Sequence, residues 1–118
     1  MDSRHDWLAE SAENYIAYLF AKTGLEIFGA GKWAADVVLH NREKNRWWRV
    51  EVKSTDSKKK PMRKSVSKLK DKAEILAEVV MLHGKFTVKF FKLKDGKRYG
   101  RPMIDPDDEE LKFFIHNS

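Results

Sequence analysis

Three residues of the chain have the types and spacing to act together on a charged substrate: Asp36, Glu51 and Lys53. They fall in two short segments, residues 34–40 and 46–54, whose Val and Trp content and alternating polarity predict two strands. If these strands form an antiparallel hairpin in which the numbers of facing residues sum to 87, Asp36 lies opposite Glu51. The hairpin therefore predicts two carboxylates side by side.

This register separates the side chains of the hairpin by polarity. One face is apolar and predicts a core surface: Val37, Leu39, Trp48, Val50 and Val52. The other face is polar: Asp36, His40, Arg49, Glu51 and Lys53. Two carboxylates across a ladder repel each other, so a positive charge is expected between them. That charge is either the ammonium of Lys53 or a divalent ion with oxygen ligands, such as Mg²⁺.

A helix near the N-terminus offers a third carboxylate. Apolar residues at steps of three and four predict a helix over residues 6–23, which ends at Gly24. At 100° per residue, Glu13 lies at the edge of the apolar stripe, whereas Glu10 points away from it. Glu13 can therefore lean over the sheet. The helix alone favours the simpler interpretation, a carboxylate at the border of the core with no further role.

The positive charge of the protein is concentrated in one segment. The chain carries 24 Lys and Arg against 18 Asp and Glu, a net charge of +6. Residues 58–72 hold eight cations and one acid, a net charge of +7, so the remainder is close to −1. A polyanion such as nucleic acid suits this basic segment, because each neutralised phosphate releases counterions. A solvated loop that aids solubility is the alternative.

The remaining pattern predicts an α+β fold with a mixed sheet, organised as one domain over residues 1–118. Residues 25–28 predict a strand, and residues 74–82 and 85–93 predict a hairpin around His83-Gly84; a helix continuing to Met81 is the alternative. A short helix is expected over residues 66–73. A last helix is expected with Asp105 as N-cap and Pro106 as its first residue, ending near Ile115.

Composition excludes several classes of protein. Apolar residues make up 42% of the chain, which is enough for a folded core. The absence of cysteine excludes disulfides, thiolate nucleophiles and Cys-ligated zinc. No run of about 18 apolar residues is present, and the first residues lack the apolar stretch of a secretory signal. We therefore expect a cytoplasmic protein that does not bind membranes.

The spacing of Asp36 and, fifteen residues on, Glu51-Val52-Lys53 resembles the D…(E/D)xK signature of the PD-(D/E)XK nuclease superfamily. Ala35 stands where a proline is expected before the Asp. Further features strengthen the resemblance: the helix with Glu13, the glycine turn at residues 29–31 and the pair Ser54-Thr55 after the Lys. Over residues 13–55 the chain is similar to the small archaeal and phage Holliday junction resolvases.

The resemblance implies a restriction-endonuclease-like core and metal-dependent hydrolysis of phosphodiester bonds. It implies that Asp36, Glu51 and the backbone carbonyl of Val52 hold one or two Mg²⁺ ions, for which Mn²⁺ can substitute. Glu13 would complete the site directly or through water. Lys53 would orient the attacking water or neutralise charge in the transition state.

DNA, branched or duplex, is the partner that this interpretation implies. The residues expected to contact its phosphates are Lys58, Lys59, Lys60, Arg63, Lys64, Lys68, Ser54 and Arg49. A homodimer is expected, with Met81, Phe90, Phe91 or the last helix at its interface. The expected location is the nucleoid or the cytoplasm of a phage-infected cell.

Two alternatives remain open at this point. The first is another nuclease of the same chemistry: a nicking, repair or restriction-type enzyme, or the nuclease part of a larger phage or helicase assembly. The second is a nucleic-acid-binding protein without catalysis, whose carboxylates are structural. Trp47 is likewise open, because it either packs in the protein or stacks on a base, and packing is the favoured interpretation.

Overall fold

A computed structural model describes residues 3–29, 36–56 and 73–117. These residues form an α+β fold with this order of elements: α1 (Ser3–Ala21), β1 (Glu26–Phe28), β2 (Val37–Asn41), β3 (Arg46–Thr55), β4 (Ile75–Leu82), β5 (Lys85–Lys94), β6 (Lys97–Ile104) and α2 (Asp108–His116). The basic segment and the helix predicted over residues 66–73 lie outside the described residues, apart from Ala73. Neither α1 nor α2 is long and apolar enough to cross a membrane.

The six strands form one mixed sheet in sequence order. Neighbouring strands are antiparallel except β3 and β4, which run parallel. The pairs of the β2–β3 hairpin run from Val37 opposite Val50 to Asn41 opposite Arg46, so the predicted register is confirmed. The predicted hairpin of β4 and β5 is also confirmed, and the alternative of a helix to Met81 is wrong.

The main core lies between one face of the sheet and the two helices. The apolar face predicted for the β2–β3 hairpin is buried in full and joins apolar residues of β4 and β5. Helix α1 covers it with Ala12, Ile16 and Phe20, and α2 adds Leu111 and Phe114. The stripe of small and branched residues on α1 allows this close approach, and Gly24, at φ 92°, ends the helix and turns the chain into β1.

The opposite face of the sheet is largely polar. Its apolar part is a small cluster of Ala73, Leu76 and Leu93, with Phe91 packed against it. Next to this cluster, β3 presents Arg49, Glu51 and Lys53 on the same face by strand alternation. We call this surface the polar face.

Two local predictions are wrong. Asp105 does not cap α2, because its φ is 43° and its Oδ1 accepts the backbone N–H of Val88 at 2.7 Å. Asp107 is the N-cap instead, in a capping box with Glu110. Strand β6 was not predicted from the sequence. It is an exposed strand at the edge of the sheet, where Pro102 is tolerated because an edge residue need not donate a backbone hydrogen bond to the ladder.

Candidate functional site

Three carboxyl groups meet where the β2–β3 hairpin opens. Asp36 precedes β2, and its Oδ2 accepts a hydrogen bond of 2.9 Å from the backbone N–H of Val52. This bond extends the hairpin by one step and holds the carboxylate of Asp36 beside that of Glu51. Glu13 of α1 comes within side-chain hydrogen-bond reach of Asp36, whereas Glu10 is exposed. We call Glu13, Asp36 and Glu51 the acid cluster.

Burial and mutual repulsion raise the pKa of two of these carboxyl groups. The pKa of Glu13 is raised to about 7, first by desolvation and then by the charge of Asp36. Desolvation and the charge of Asp36 also raise the pKa of Glu51 to about 7, and the nearby ammonium of Lys53 opposes that shift. Near neutral pH the acid cluster therefore retains protons that carboxyl groups exposed to water would already have released, unless a cation replaces these protons.

One oxygen of the acid cluster lacks a partner. Among the described residues, Oε2 of Glu51 is buried and accepts no hydrogen bond. An unsatisfied buried polar group costs about 1–3 kcal/mol, and more when it is charged. A hard cation with oxygen ligands would satisfy this atom and offset the repulsion from Asp36. The donor set therefore fits Mg²⁺ or Mn²⁺.

The acid cluster is not a complete metal cage. Within residues 3–29, 36–56 and 73–117, no three His, Asp or Glu side chains are arranged to hold one metal ion. The carboxyl groups form two contacts that share Asp36, one with Glu13 and one with Glu51. Mg²⁺ commonly binds to one or two carboxylates and completes its shell with water and phosphate oxygens. The arrangement suits a cation that a substrate helps to hold.

The backbone carbonyl of Val52 is directed toward the same place. The N–H and C=O of one strand residue point to the same side, and the N–H of Val52 points to Asp36. Strand β2 begins at Val37, opposite Val50, so no residue of β2 faces Val52. Its carbonyl therefore points to the side of Asp36.

Lys53 lies on the polar face beside the acid cluster. It follows Glu51 by two residues on β3, and its charge reaches that carboxylate. Its partner across the parallel ladder is Glu78 of β4, which is 8% exposed. Oε1 of Glu78 forms an ion pair of 3.1 Å with Nη1 of Arg98. Glu78 therefore has a cation of its own besides Lys53.

Of the residues predicted to bind DNA, the structure describes Arg49 and Ser54. Lys58, Lys59, Lys60, Arg63, Lys64 and Lys68 lie outside the described residues. Arg49 is engaged by Glu74, whose Oε1 accepts Nη2–H at 2.9 Å and whose Oε2 accepts the backbone N–H of Arg49 at 2.7 Å. The guanidinium of Arg49 thus already has an anionic partner.

Ser54 lines a shallow groove near the acid cluster. The groove has a volume of about 250 Å³ and lies between α1 and the end of β3, where Leu8, Ala9, Thr55 and Asp56 complete its walls. Ala9 is one helical turn before Glu13 on α1. The groove is therefore a neighbouring surface on which a substrate could rest.

A stack of rings lies at the other end of the hairpin. The ring of His40 is 4.0 Å from that of Trp47 at an interplanar angle of 21°, and Phe28 of β1 is 5.6 Å from Trp47. Trp47 is 45% exposed and Phe28 is 37% exposed. The alternation of β3 had left Trp47 ambiguous, and its pairing with the short strand β1 could not be read from the sequence.

Comparisons with known proteins do not identify a relative. No protein-family model matches the chain, and neither a curated protein nor a solved structure matches it. The interpretation of the site therefore depends on its own residues and geometry.

Proposed function

We propose that the protein is a metal-dependent DNA endonuclease with a restriction-endonuclease-like core and an active site at Asp36, Glu51 and Lys53. The observation that carries the proposal is the acid cluster, in which a buried oxygen of Glu51 has no hydrogen-bond partner in the part of the chain that the structure describes. Acids with strongly perturbed pKa values beside a lysine are typical of functional sites. These residues are also the ones that match the D…ExK pattern.

The fold is compatible with this proposal. A helix followed by three antiparallel strands, with the next strand parallel to the third, gives the order in which such a core presents its site. The acids come from α1, from the residue before β2 and from β3, so three different elements fix their positions. Such support holds charged groups in place for a reaction without reorganisation.

Each residue has a defined part in the proposed reaction. Asp36, Glu51 and the carbonyl of Val52 would hold Mg²⁺, and Glu13 would complete the site directly or through water. When bound, the ion polarises a phosphoryl oxygen and makes water a stronger acid. Lys53 keeps a positive charge beside the reacting phosphate, where it orients water and stabilises the negative charge that develops.

DNA is the proposed substrate, cut according to its structure rather than its sequence. The basic segment supplies affinity for phosphates that is independent of sequence. A homodimer would present two active sites to the two strands of a junction. Its interface excludes Phe90, which the structure buries completely, whereas Phe113 of α2 is 69% exposed and Met81 and Phe91 are partly exposed.

A panel of labelled DNA structures tests the proposal. Four-way junction, flap, single strand and plain duplex are incubated at one ionic strength with Mg²⁺, Mn²⁺ or EDTA. We expect strand cleavage that needs a divalent ion and is lost in Asp36→Asn and Lys53→Met. Equal cleavage by both variants would place the site elsewhere. Binding without cleavage of any substrate would identify a nucleic-acid-binding protein.

A further inference from the structure

The ring stack of Phe28, His40 and Trp47 forms a flat, partly exposed platform. Both ring nitrogens of His40 are engaged, Nδ1 by Glu26 at 2.8 Å and Nε2 by Asn45 at 3.1 Å. This fixes the imidazole on which the indole of Trp47 lies, at 21° between the ring planes. The platform is therefore held in place, with almost half of the Trp47 surface accessible.

The platform shares the polar face with the acid cluster. Trp47, Arg49 and Glu51 alternate along β3 and point to the same side of the sheet. Glu51 is four residues after Trp47 on β3, a rise of about 13 Å. This length corresponds to about four steps of a stacked nucleic-acid strand, at 3.4 Å per step. A strand whose phosphate lies at the acid cluster can therefore reach the platform.

Exposed cations lie next to the platform. Arg42 and Lys44 belong to the loop of the hairpin, whereas Arg46 lies over the ring of Trp48 on the opposite face of the sheet and Arg49 is paired with Glu74. Arg42 pairs with Glu26 at 3.4 Å and is still 83% exposed. A flat aromatic surface flanked by cations is the combination that proteins use to hold the bases and phosphates of a single strand.

We propose that Trp47 is a stacking site for an unpaired base of the DNA strand that is cut at the acid cluster. This inference rests on the proposed function and defines its substrate class: DNA with unpaired bases within a few nucleotides of the scissile phosphate. In a closed duplex each base face is already covered by its neighbours, so only an opened or branched strand can use the platform.

Binding in EDTA tests the stacking site separately from catalysis. Three fluorescein-labelled duplexes are compared. The first has no gap, the second has a gap that leaves four thymidines unpaired in the opposite strand, and the third has the same gap with abasic residues in place of these thymidines. We compare the unmodified protein with Trp47→Ala, Trp47→Phe and, as a matched control, Trp7→Ala, which removes an exposed tryptophan (76% exposed) from α1. Circular dichroism and sedimentation record the fold and mass of each variant.

The unmodified protein is expected to prefer the thymidine gap over both other duplexes. Trp47→Ala should weaken binding to that gap by about tenfold and leave the abasic gap and the closed duplex unchanged. Trp47→Phe should keep most of the preference, and Trp7→Ala all of it. Equal weakening on all three duplexes, or none, would overturn the inference. A change of mass in Trp47→Ala would also overturn it, by assigning the platform to a contact between copies.

The two proposals fail in different ways. If the unmodified protein nicks DNA with Mg²⁺ but Trp47→Ala keeps the preference for thymidine gaps, only the stacking site is wrong. If no duplex is cut with Mg²⁺ while the gap preference depends on Trp47, the stacking site stands and the hydrolytic function is wrong. Should Trp47→Ala not fold, Trp47→Leu takes its place, because leucine keeps an apolar side chain without an aromatic ring and should show the same loss of about tenfold on the thymidine gap.

Discussion

The acids in and beside the sheet are of two kinds. Glu74 and Glu78, just before and within β4, each face a guanidinium, at 2.9 Å from Arg49 and 3.1 Å from Arg98. The carboxyl groups of the acid cluster around Asp36 face one another instead. Among the described residues, the first kind of acid is paired with a guanidinium and the second kind is not.

The difference separates groups that support the fold from groups that are held for another purpose. A paired carboxylate stabilises its neighbourhood, and breaking the pair leaves a costly charge. Carboxylates that repel each other reduce stability, so their removal should cost function rather than folding. Variants of the two kinds of acid should therefore respond in opposite ways.

The largest effect is expected for the centre of the acid cluster. Asp36→Asn keeps an oxygen that can accept the N–H of Val52 but removes the charge. We expect the rate of plasmid nicking to fall by about 10³-fold, as for other losses of transition-state charge stabilisation, while the midpoint of thermal unfolding stays or rises. Glu74→Gln, from the paired kind, serves as the control and should nick at a normal rate. Similar losses of nicking rate in Asp36→Asn and Glu74→Gln would contradict the distinction between the two kinds of acid.

The second effect concerns the ion pair between Arg98 and the buried carboxylate of Glu78. Arg98→Met leaves Glu78 without its cation in a site where that carboxylate is 8% exposed. We expect unfolding in urea to show a loss of about 2–3 kcal/mol, with nicking retained in the folded protein. Adding Glu78→Gln to Arg98→Met should restore most of the stability. No recovery in the double variant would mean that Arg98 acts through its contact with Phe91, 4.2 Å away, instead.

The third effect is a dependence of stability on pH in the metal-free protein. The pKa values of Glu13 and Glu51 are raised to about 7, so the native state holds protons that the unfolded state releases above its ordinary pKa of 4.5. The free energy of unfolding in EDTA should therefore fall as pH rises from 4.5 to 7. After allowance for solvent screening, we expect a fall of about 2 kcal/mol.

Urea titrations at several pH values measure this slope. Glu51→Gln should flatten it, because the variant has one group fewer to titrate, whereas Glu74→Gln should leave it unchanged. A stability that rises with pH over this window in both the unmodified protein and Glu51→Gln would show that the acids are ionised without cost.

The smallest effect is stabilisation by the metal. At pH 7, free Mg²⁺ at ten times its dissociation constant should add about 1.4 kcal/mol to the free energy of unfolding. Asp36→Asn and Glu51→Gln should lose this gain, since each removes a negative ligand, while Arg98→Met should retain it. Equal stabilisation of Asp36→Asn would indicate that Mg²⁺ binds elsewhere.

Local patterns in the sequence were sufficient to predict much of the fold. The alternation of the β2–β3 hairpin, together with the position of its loop, predicted the register that puts Val37, Val50 and Trp48 on one face. The same register placed Asp36 beside Glu51, and helical geometry distinguished Glu13 from Glu10. These predictions depend on residues that are close in sequence or on a single element.

What the sequence could not provide depends on contacts between distant elements. Strand β6 was missed because Gly100 and Pro102 weaken a strand pattern that only an edge position permits, although Asp95-Gly96 was a hairpin signal. The pairing of Arg49 with Glu74 depends on the parallel register of β3 and β4, which no local pattern defines. The same holds for the contact of Phe28 with Trp47.

The length of the loop between β2 and β3 determines which side chains of β3 face the core. This loop spans four residues between Asn41 and Arg46, and Asn45 closes it in the left-handed region at φ 49°. Inserting or deleting one residue there would exchange the two faces of β3. Its acidic side chains would then enter the apolar core, and its apolar side chains would be exposed to water. The other residues of the loop can therefore vary more freely than Asn45, whereas a change of loop length by an odd number of residues would disrupt the fold.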